Sequence, residues 1–255
     1  MSDVKFNEFV EIVKRLRKEC PWDRKQTNDS IKAATIEEAY EVVEAIEKKD
    51  YEELKNELGD LLLHVVFHTV IAGEKNNFTI DDVISANQEK LIRRHPHVFG
   101  DVEVADSEEV KKNWETIKLT EGRDTLLEGV PEMLPALQRA HRLQEKASKV
   151  GFDWERKEDV WKKVIEEIEE MHESEIEGTH EQLEMEIGDV FFALVNYARF
   201  LDVNPENALR QTNKKFINRF NYIEKKIAEA GKKLSDSNLE EMDKFWNESK
   251  EKLEA

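Results

Sequence analysis

Two carboxylates interrupt the most apolar stretch of the chain. Glu57 and Asp60 lie one helical turn apart, and the run LLLHVVFHTVIAG follows them. At about 100° per residue, a helix places both on one stripe with Glu53 and His64, while leucines and valines cover the remaining surface. We expect a largely buried helix with one polar seam. Because a buried carboxylate needs a compensating cation, metal or hydrogen bond, this seam must face one.

A second acidic pair lies about 20 residues earlier, in the segment TIEEAYEVVEAI. Glu38 and Glu41 share one helical stripe, while Ile36 and Tyr40 belong to a separate apolar face. Taken alone, such a pair in a chain this acidic would indicate a solvated helix face. The short connection at residues 48–51 instead predicts two antiparallel neighbouring helices whose acidic stripes face each other.

Both pairs recur in the second half of the chain at a constant offset of 129 residues. The repeated positions are Glu38, Glu41, Glu57 and Asp60, then Glu167, Glu170, Glu186 and Asp189. A fourfold pattern that recurs in register, with a glycine before each aspartate, indicates an internal duplication. Ala193 stands where the first half has His64, so we do not expect imidazole to be a shared ligand.

Basic residues follow each acidic quartet. Lys90 and Arg94 are four residues apart on a helix predicted to begin at about residue 80, and Lys215 and Arg219 repeat them. A cationic helix face beside an acidic stripe is what a metal-bound polyphosphate would need. Trp246 is echoed by Trp114.

Composition limits the class of protein. The chain has 255 residues, of which 38% are charged, and a net charge of −18, so neither a nucleic acid polymer nor an anionic membrane is an expected partner. No apolar run reaches about 18 residues, so no membrane span is predicted. The single cysteine excludes an intramolecular disulfide framework, and without a signal peptide's apolar region we expect a cytoplasmic protein.

Glycines and prolines cluster in the segment TEGRDTLLEGVPEMLPAL and indicate a domain boundary. We predict an all-α fold with two tandem helical modules, at residues 1–119 and 133–255, joined by a linker at 120–132. The apolar segment Val190 to Val195 needs cover on more than one side, which favours an oligomer.

Four carboxylates without a common histidine or cysteine favour a hard cation, Mg²⁺ or Mn²⁺, which prefers oxygen ligands and retains waters and substrate phosphates. The motifs EEAYE, ELGDLLLHVVFH, KLIRRHPHVFGD and GFDWE together resemble the MazG family of nucleoside triphosphate pyrophosphohydrolases. The resemblance covers nearly the whole chain. It implies an all-α homodimer of duplicated modules that hydrolyses nucleoside triphosphates of broad specificity to monophosphate and pyrophosphate, with Mg²⁺ as cofactor and Mn²⁺ as a possible substitute.

The resemblance also assigns roles. It implies catalytic and metal-binding roles for Glu167, Glu170, Glu186 and Asp189, metal binding for Glu38, Glu41, Glu57 and Asp60, and nucleotide contacts for Lys215, Arg219, Trp246, Lys90 and Arg94. The second half is expected to be catalytic, and the intact first quartet is expected at least to bind metal. The second half has NRFNYIE in place of RRHPHVFG, which leaves open whether the two sites prefer the same nucleotide.

Three alternatives remain at this point. One is a related all-α hydrolase acting on another pyrophosphate bond, such as that of a deoxyuridine or phosphoribosyl nucleotide. Another is a metal-dependent nucleotide sensor or interaction scaffold that binds without turnover. A carboxylate-bridged di-iron bundle would ordinarily use E-x-x-H pairs, and neither half supplies two of them.

Overall fold

The structure is a computed structural model that describes residues 2–119 and 125–253. Within these residues it is built from α-helices, with no strand, which confirms the predicted all-α fold. The helices are α1 (Ser2–Glu19), α2 (Lys32–Lys48), α3 (Tyr51–Gly73), α4 (Ile80–Arg94), α5 (Pro96–Phe99), α6 (Ser107–Leu119), α7 (Ala136–Ser148), α8 (Lys157–Glu177), α9 (His180–Phe200), α10 (Pro205–Glu229) and α11 (Leu239–Leu253).

The chain divides into two compact units, residues 1–110 and residues 111–255. The linker predicted at 120–132 includes residues 120–124, which lie outside the described part of the chain. Its limits therefore stay a prediction. Among the described helices, none is long and apolar enough to cross a membrane.

In the first unit, α2 and α3 pack directly against each other, as their short connection predicts. Lys49 ends α2 in a left-handed conformation with φ of 56°. Asp50 then begins α3, because its carboxylate accepts hydrogen bonds from the backbone N–H groups of Glu52 (3.2 Å) and Glu53 (3.1 Å). These two residues reverse the chain, so that the two acidic stripes run side by side.

The expectation that α3 is largely buried is wrong for its first half. Leu58 is 50% exposed, and Leu62 and Val65 are also exposed. The reason is that α1 joins the core of the unit through the second half of α3 only. That core consists of Val10, Val13, Ile31, Val66, Phe67 and Ile71.

The second unit repeats this hairpin with α8 and α9, which form its most extensive helix pair. At Gly178 a Cβ atom would lie 2.6 Å from the carbonyl oxygen of Ser174, so this close turn requires glycine. Thr179 follows and caps α9 in a capping box with Gln182. The sequence therefore ends α8 and begins α9 within two residues.

Helices α7, α10 and α11 also belong to the described part of the second unit. Helix α7 packs against α9, and the side-chain amide of Gln144 donates a 2.8 Å hydrogen bond to the carbonyl of Phe192. Helix α10 packs against α7, α9 and α11. At the end of α9, Arg199 forms a paired salt bridge with Asp153 in the segment that leads into α8. This contact secures the start of the α8–α9 hairpin.

Candidate functional site

The first unit brings three carboxylates together across the α2–α3 pair. Glu38 and Glu41 project from α2 and Glu57 from α3, and one oxygen of each lies within 4.8 Å of the other two. Asp60 falls outside this tight group, yet its charge contributes to raising the pKa of both Glu38 and Glu57. The predicted quartet thus forms a core of three carboxylates with the fourth nearby.

Burial and the neighbouring negative charges both favour the protonated form of carboxylates in this group. Burial raises the pKa of Glu57 to about 7, with further contributions from a hydrogen bond with Glu53 and the charge of Glu41. The pKa of Glu38 is also raised, first by burial and then by the charges of Glu41 and Asp60. An uncompensated carboxylate cluster binds protons more readily than isolated carboxylates, and a divalent cation would relieve the same repulsion.

Two histidines of α3 share a contact with Thr35 of α2, and one of them lies near the carboxylates. The hydroxyl oxygen of Thr35 lies 2.9 Å from Nδ1 of His64 and 2.8 Å from Nε2 of His68. Nε2 of His64 lies 3.7 Å from Oε1 of Glu38. Burial, together with the charge of His64, lowers the pKa of His68. His64 therefore lines the acidic seam, in agreement with its absence from the repeat.

The second unit forms a corresponding group on α8 and α9. Glu167, Glu186 and Asp189 each place one oxygen within 4.8 Å of the other two. Glu167 is buried, with 8% of its surface exposed, whereas Asp189 is exposed. Glu170 falls outside the tight group, and its pKa is raised first by burial and then by the charge of Glu167. The two groups are therefore similar in composition but differ in which carboxylates are closest.

Lys163 is a site residue that the sequence pattern did not reveal. Its ammonium lies 2.7 Å from Oε1 of Glu167 and 2.6 Å from Oε1 of Glu166, and these hydrogen bonds raise the pKa of the lysine. The first unit has Ala34 at this position of the repeat. Comparing the two halves one turn before each first glutamate would have identified the difference.

The predicted cationic contacts lie on the following helices. Lys90 and Arg94 are on α4, which packs against α3, and both are half-buried. Lys215 is exposed on α10, and the guanidinium carbon of Arg219 lies 5.1 Å from the ring centre of Trp246 on α11. The role of these five side chains in substrate binding stays a prediction.

Both carboxylate groups fit a hard divalent cation. Mg²⁺ binds oxygen at about 2.1 Å, which places octahedral ligand oxygens roughly 3–4 Å apart, so the observed spacing needs only small side-chain movements. In the described residues, each group of three supplies carboxylate oxygens without a sulfur ligand. Such a set leaves coordination positions for water and phosphate oxygens, as metal-assisted displacement at phosphorus requires.

Comparison with known proteins gives matches over both units. A family model described as "MazG nucleotide pyrophosphohydrolase domain" matches residues 26–99 and again residues 155–223. Each matched segment contains one complete acidic quartet. The duplication inferred from the 129-residue offset is therefore a duplication of this domain.

Individual relatives match over nearly the full chain. The chain is 45% identical to "Nucleoside triphosphate pyrophosphohydrolase/pyrophosphatase MazG" of Thermotoga maritima, over 98% of this chain and 97% of that protein. It is 41% identical to "Nucleoside triphosphate pyrophosphohydrolase" of Escherichia coli K12, over 95% of each. It is 51% identical to the uncharacterized protein YabN of Bacillus subtilis, over 96% of this chain and 52% of that protein.

Proposed function

The chain belongs to the MazG nucleotide pyrophosphohydrolase family, and from this premise we propose that it hydrolyses nucleoside triphosphates to monophosphate and pyrophosphate in a Mg²⁺-dependent reaction. Membership makes it a hydrolase of acid anhydrides. We further propose that it accepts both ribonucleotides and deoxyribonucleotides, and that Mn²⁺ can replace Mg²⁺.

One observation carries this proposal: two copies of the same acidic pattern each converge on a group of three carboxylates between antiparallel helices. Exposed acidic surfaces need no such arrangement. Here Glu167 is buried, and the pKa of Glu57 is raised to about 7, which are the signs of carboxylates held together against their repulsion. Binding a divalent cation would compensate that repulsion.

The second unit is the proposed catalytic site. Glu167, Glu186 and Asp189 would hold Mg²⁺ directly, with Glu170 completing the site as the helices adjust. When bound, Mg²⁺ supplies Lewis-acid polarisation of a phosphoryl oxygen and a more acidic bound water. Lys163 would position Glu167 and add positive charge near the phosphates, while Lys215 and Arg219 on α10 would bind the polyphosphate chain.

The first unit is proposed to bind metal through Glu38, Glu41 and Glu57, with Asp60 nearby. Lys90 and Arg94 on α4 would contact phosphate there. Variants of Glu57 and Asp60 test whether this site also hydrolyses substrate.

We also propose that the protein is a homodimer that works in the cytoplasm, where nucleoside triphosphates are found. Support for a dimer comes from α9, whose Phe191, Phe192 and Leu194 are 56%, 45% and 41% exposed within the chain. A second copy would remove such apolar surface from water. Light scattering on the purified chain should give twice the monomer mass of 29.9 kDa.

The direct test is to incubate the purified protein with each common ribo- and deoxyribonucleoside triphosphate, with and without Mg²⁺. We expect equal amounts of monophosphate and pyrophosphate, and no product when the metal is chelated. Orthophosphate and diphosphate as products would assign cleavage to a different bond. Tight nucleotide binding without product would instead support a sensor or scaffold.

A further inference from the structure

Helix α10 carries two kinds of side chain along adjacent lines. Lys215 and Arg219 are four residues apart, and Phe216 and Phe220 repeat that spacing one position later. Residues four apart lie one above the other on a helix, so a cationic line runs beside an aromatic line. The helix packs against α9, which bears Glu186 and Asp189 of the carboxylate group, so both features belong to one helical bundle.

The aromatic line has one residue that remains open. Phe216 is 56% exposed, and its ring stacks on Phe220 with centroids 6.1 Å apart and planes 9° apart. Trp246 approaches the Phe216 ring at 5.4 Å with a 56° tilt, and the Arg219 guanidinium lies 5.1 Å from the Trp246 ring. Trp246 thus supports Arg219 and Phe216, while Phe216 presents the more accessible aromatic surface.

An exposed phenyl ring supported from below by one aromatic and from the side by another is suited to stacking a planar group. The adjacent cations suit the phosphates of the same ligand. We propose that Phe216 is the base-stacking residue of the second unit. This inference rests on the proposed function, since it identifies how that site holds the nucleobase of a nucleoside triphosphate whose phosphates lie along Lys215 and Arg219.

The first unit has no aromatic residue at the position equivalent to Phe216. Lys90 and Arg94 preserve the cationic line, but Leu91 stands where the second unit has Phe216. Leu91 is 44% exposed and has no π-face on which a base can stack. The first unit therefore retains the phosphate chemistry and lacks this aromatic contact, so its affinity for a nucleotide depends less on the base.

The experiment compares a ligand with a base and one without. In the full-length chain with Mg²⁺, Phe216→Leu should raise KM for each nucleoside triphosphate by roughly 5- to 150-fold, the range that base–aromatic stacking gives, with kcat nearly unchanged. Inorganic tripolyphosphate, used as a competitive inhibitor, should bind equally well to both proteins. Phe216→Trp should retain the wild-type KM.

The matched control is Ile217→Ala, which alters an equally exposed apolar residue (56%) one position along the same helix. It should leave KM for nucleotide and the inhibition constant of tripolyphosphate unchanged. An equal loss of nucleotide and tripolyphosphate binding in Phe216→Leu would overturn the inference, since the residue would then act on the phosphate site or the fold. A change in native mass would overturn it by assigning Phe216 to a subunit interface.

If the proposed hydrolysis does not occur, base stacking at Phe216 can still be tested by ligand binding. If the wild-type chain releases no pyrophosphate, calorimetric binding of a nucleoside triphosphate and of tripolyphosphate replaces the kinetic readout. A Phe216→Leu variant that then weakens only the nucleotide still supports base stacking at a non-catalytic site. Equal binding of the nucleotide to variant and wild-type proteins overturns it.

Discussion

The two carboxylate groups belong to the two copies of the repeat but have different neighbouring charges. In the second unit, Lys163 places an ammonium 2.7 Å from Glu167. In the first, Ala34 holds the equivalent position, and the neighbours of Glu38 are His64 and, through it, Thr35. The second unit has a positive charge beside its most buried carboxylate. Each unit also contains a carboxylate with a raised pKa, Glu57 at about 7 in the first and Glu170 in the second.

The acidic quartet is the same in both units, so the two sites differ in the residues around it. The carboxylate spacing gives both units a group that could hold a metal ion, but the residue one turn before the first glutamate differs between them. In the second site the ammonium of Lys163 lies beside Glu167, and we expect it to keep the site organised when no metal is bound. We expect the first site, which has Ala34 at that position, to depend more strongly on an added cation for its stability.

The largest expected effect comes from removing metal ligands. Glu186→Gln combined with Asp189→Asn should reduce pyrophosphate release by more than about 100-fold, because metal-assisted chemistry loses two carboxylates, while helix content remains nearly unchanged. The matched change, Glu57→Gln with Asp60→Asn, should reduce it much less. Steady-state rates and circular dichroism check both. Full activity in the first variant would place the chemistry in the first unit.

The next test removes the lysine from the second unit and places one at the equivalent position of the first. Lys163→Ala should lower the free energy of unfolding by about 1–2 kcal/mol in chelator, because buried Glu167 loses its ion-pair partner, and Mg²⁺ should restore much of the loss. Ala34→Lys places an ammonium one turn before Glu38 and should stabilise the metal-free chain by less than about 1 kcal/mol. Urea denaturation with and without Mg²⁺ measures both. If Lys163→Ala has no effect in chelator, the ion pair does not organise the second site.

The raised pKa of Glu57 predicts a pH dependence of stability that a Glu57 variant should alter. Since the folded state holds this proton up to about pH 7 and the unfolded state releases it at an ordinary glutamate pKa, folding binds protons between these values. The stability contribution is therefore greatest at acidic pH and is lost as the pH rises to about 7. We expect the melting temperature of the metal-free wild-type chain to fall as the pH rises across this range, and that of Glu57→Gln to fall less steeply. Thermal unfolding at a series of pH values measures both. Parallel curves for variant and wild type would contradict the assignment.

The smallest effect concerns the caps that begin helices α3 and α9. Asp50→Ala and Thr179→Ala should each lower the free energy of unfolding by about 1 kcal/mol, because each removes a side-chain acceptor for backbone N–H groups. Neither side chain belongs to a carboxylate group, so Mg²⁺ affinity should change little. Denaturation midpoints and calorimetric Mg²⁺ titrations provide the readouts. A large loss of Mg²⁺ affinity would show that the caps also set the ligand geometry.

Sequence reasoning succeeded where the relevant signal is periodic. The spacing of Glu38, Glu41 and Glu57 predicted a shared polar surface, and the short connections predicted antiparallel pairs that the structure contains. The prediction of burial was wrong at Leu58 and Leu62. An apolar sequence shows that a helix packs against other elements, but it does not show which part of the helix they bury. Lys163 was missed because, in an E-rich helix, one lysine has the pattern of an ordinary surface residue.

The sequence by itself determined the helical modules, their duplication and the acidic side chains that each module presents, because these follow from helix periodicity and from identity between the halves. Tertiary structure decided which three carboxylates in each unit come closest, that Lys163 forms an ion pair with Glu167, and that Phe216 remains open beside Trp246. Those properties depend on distances between side chains of different helices, which are fixed only when the helices pack.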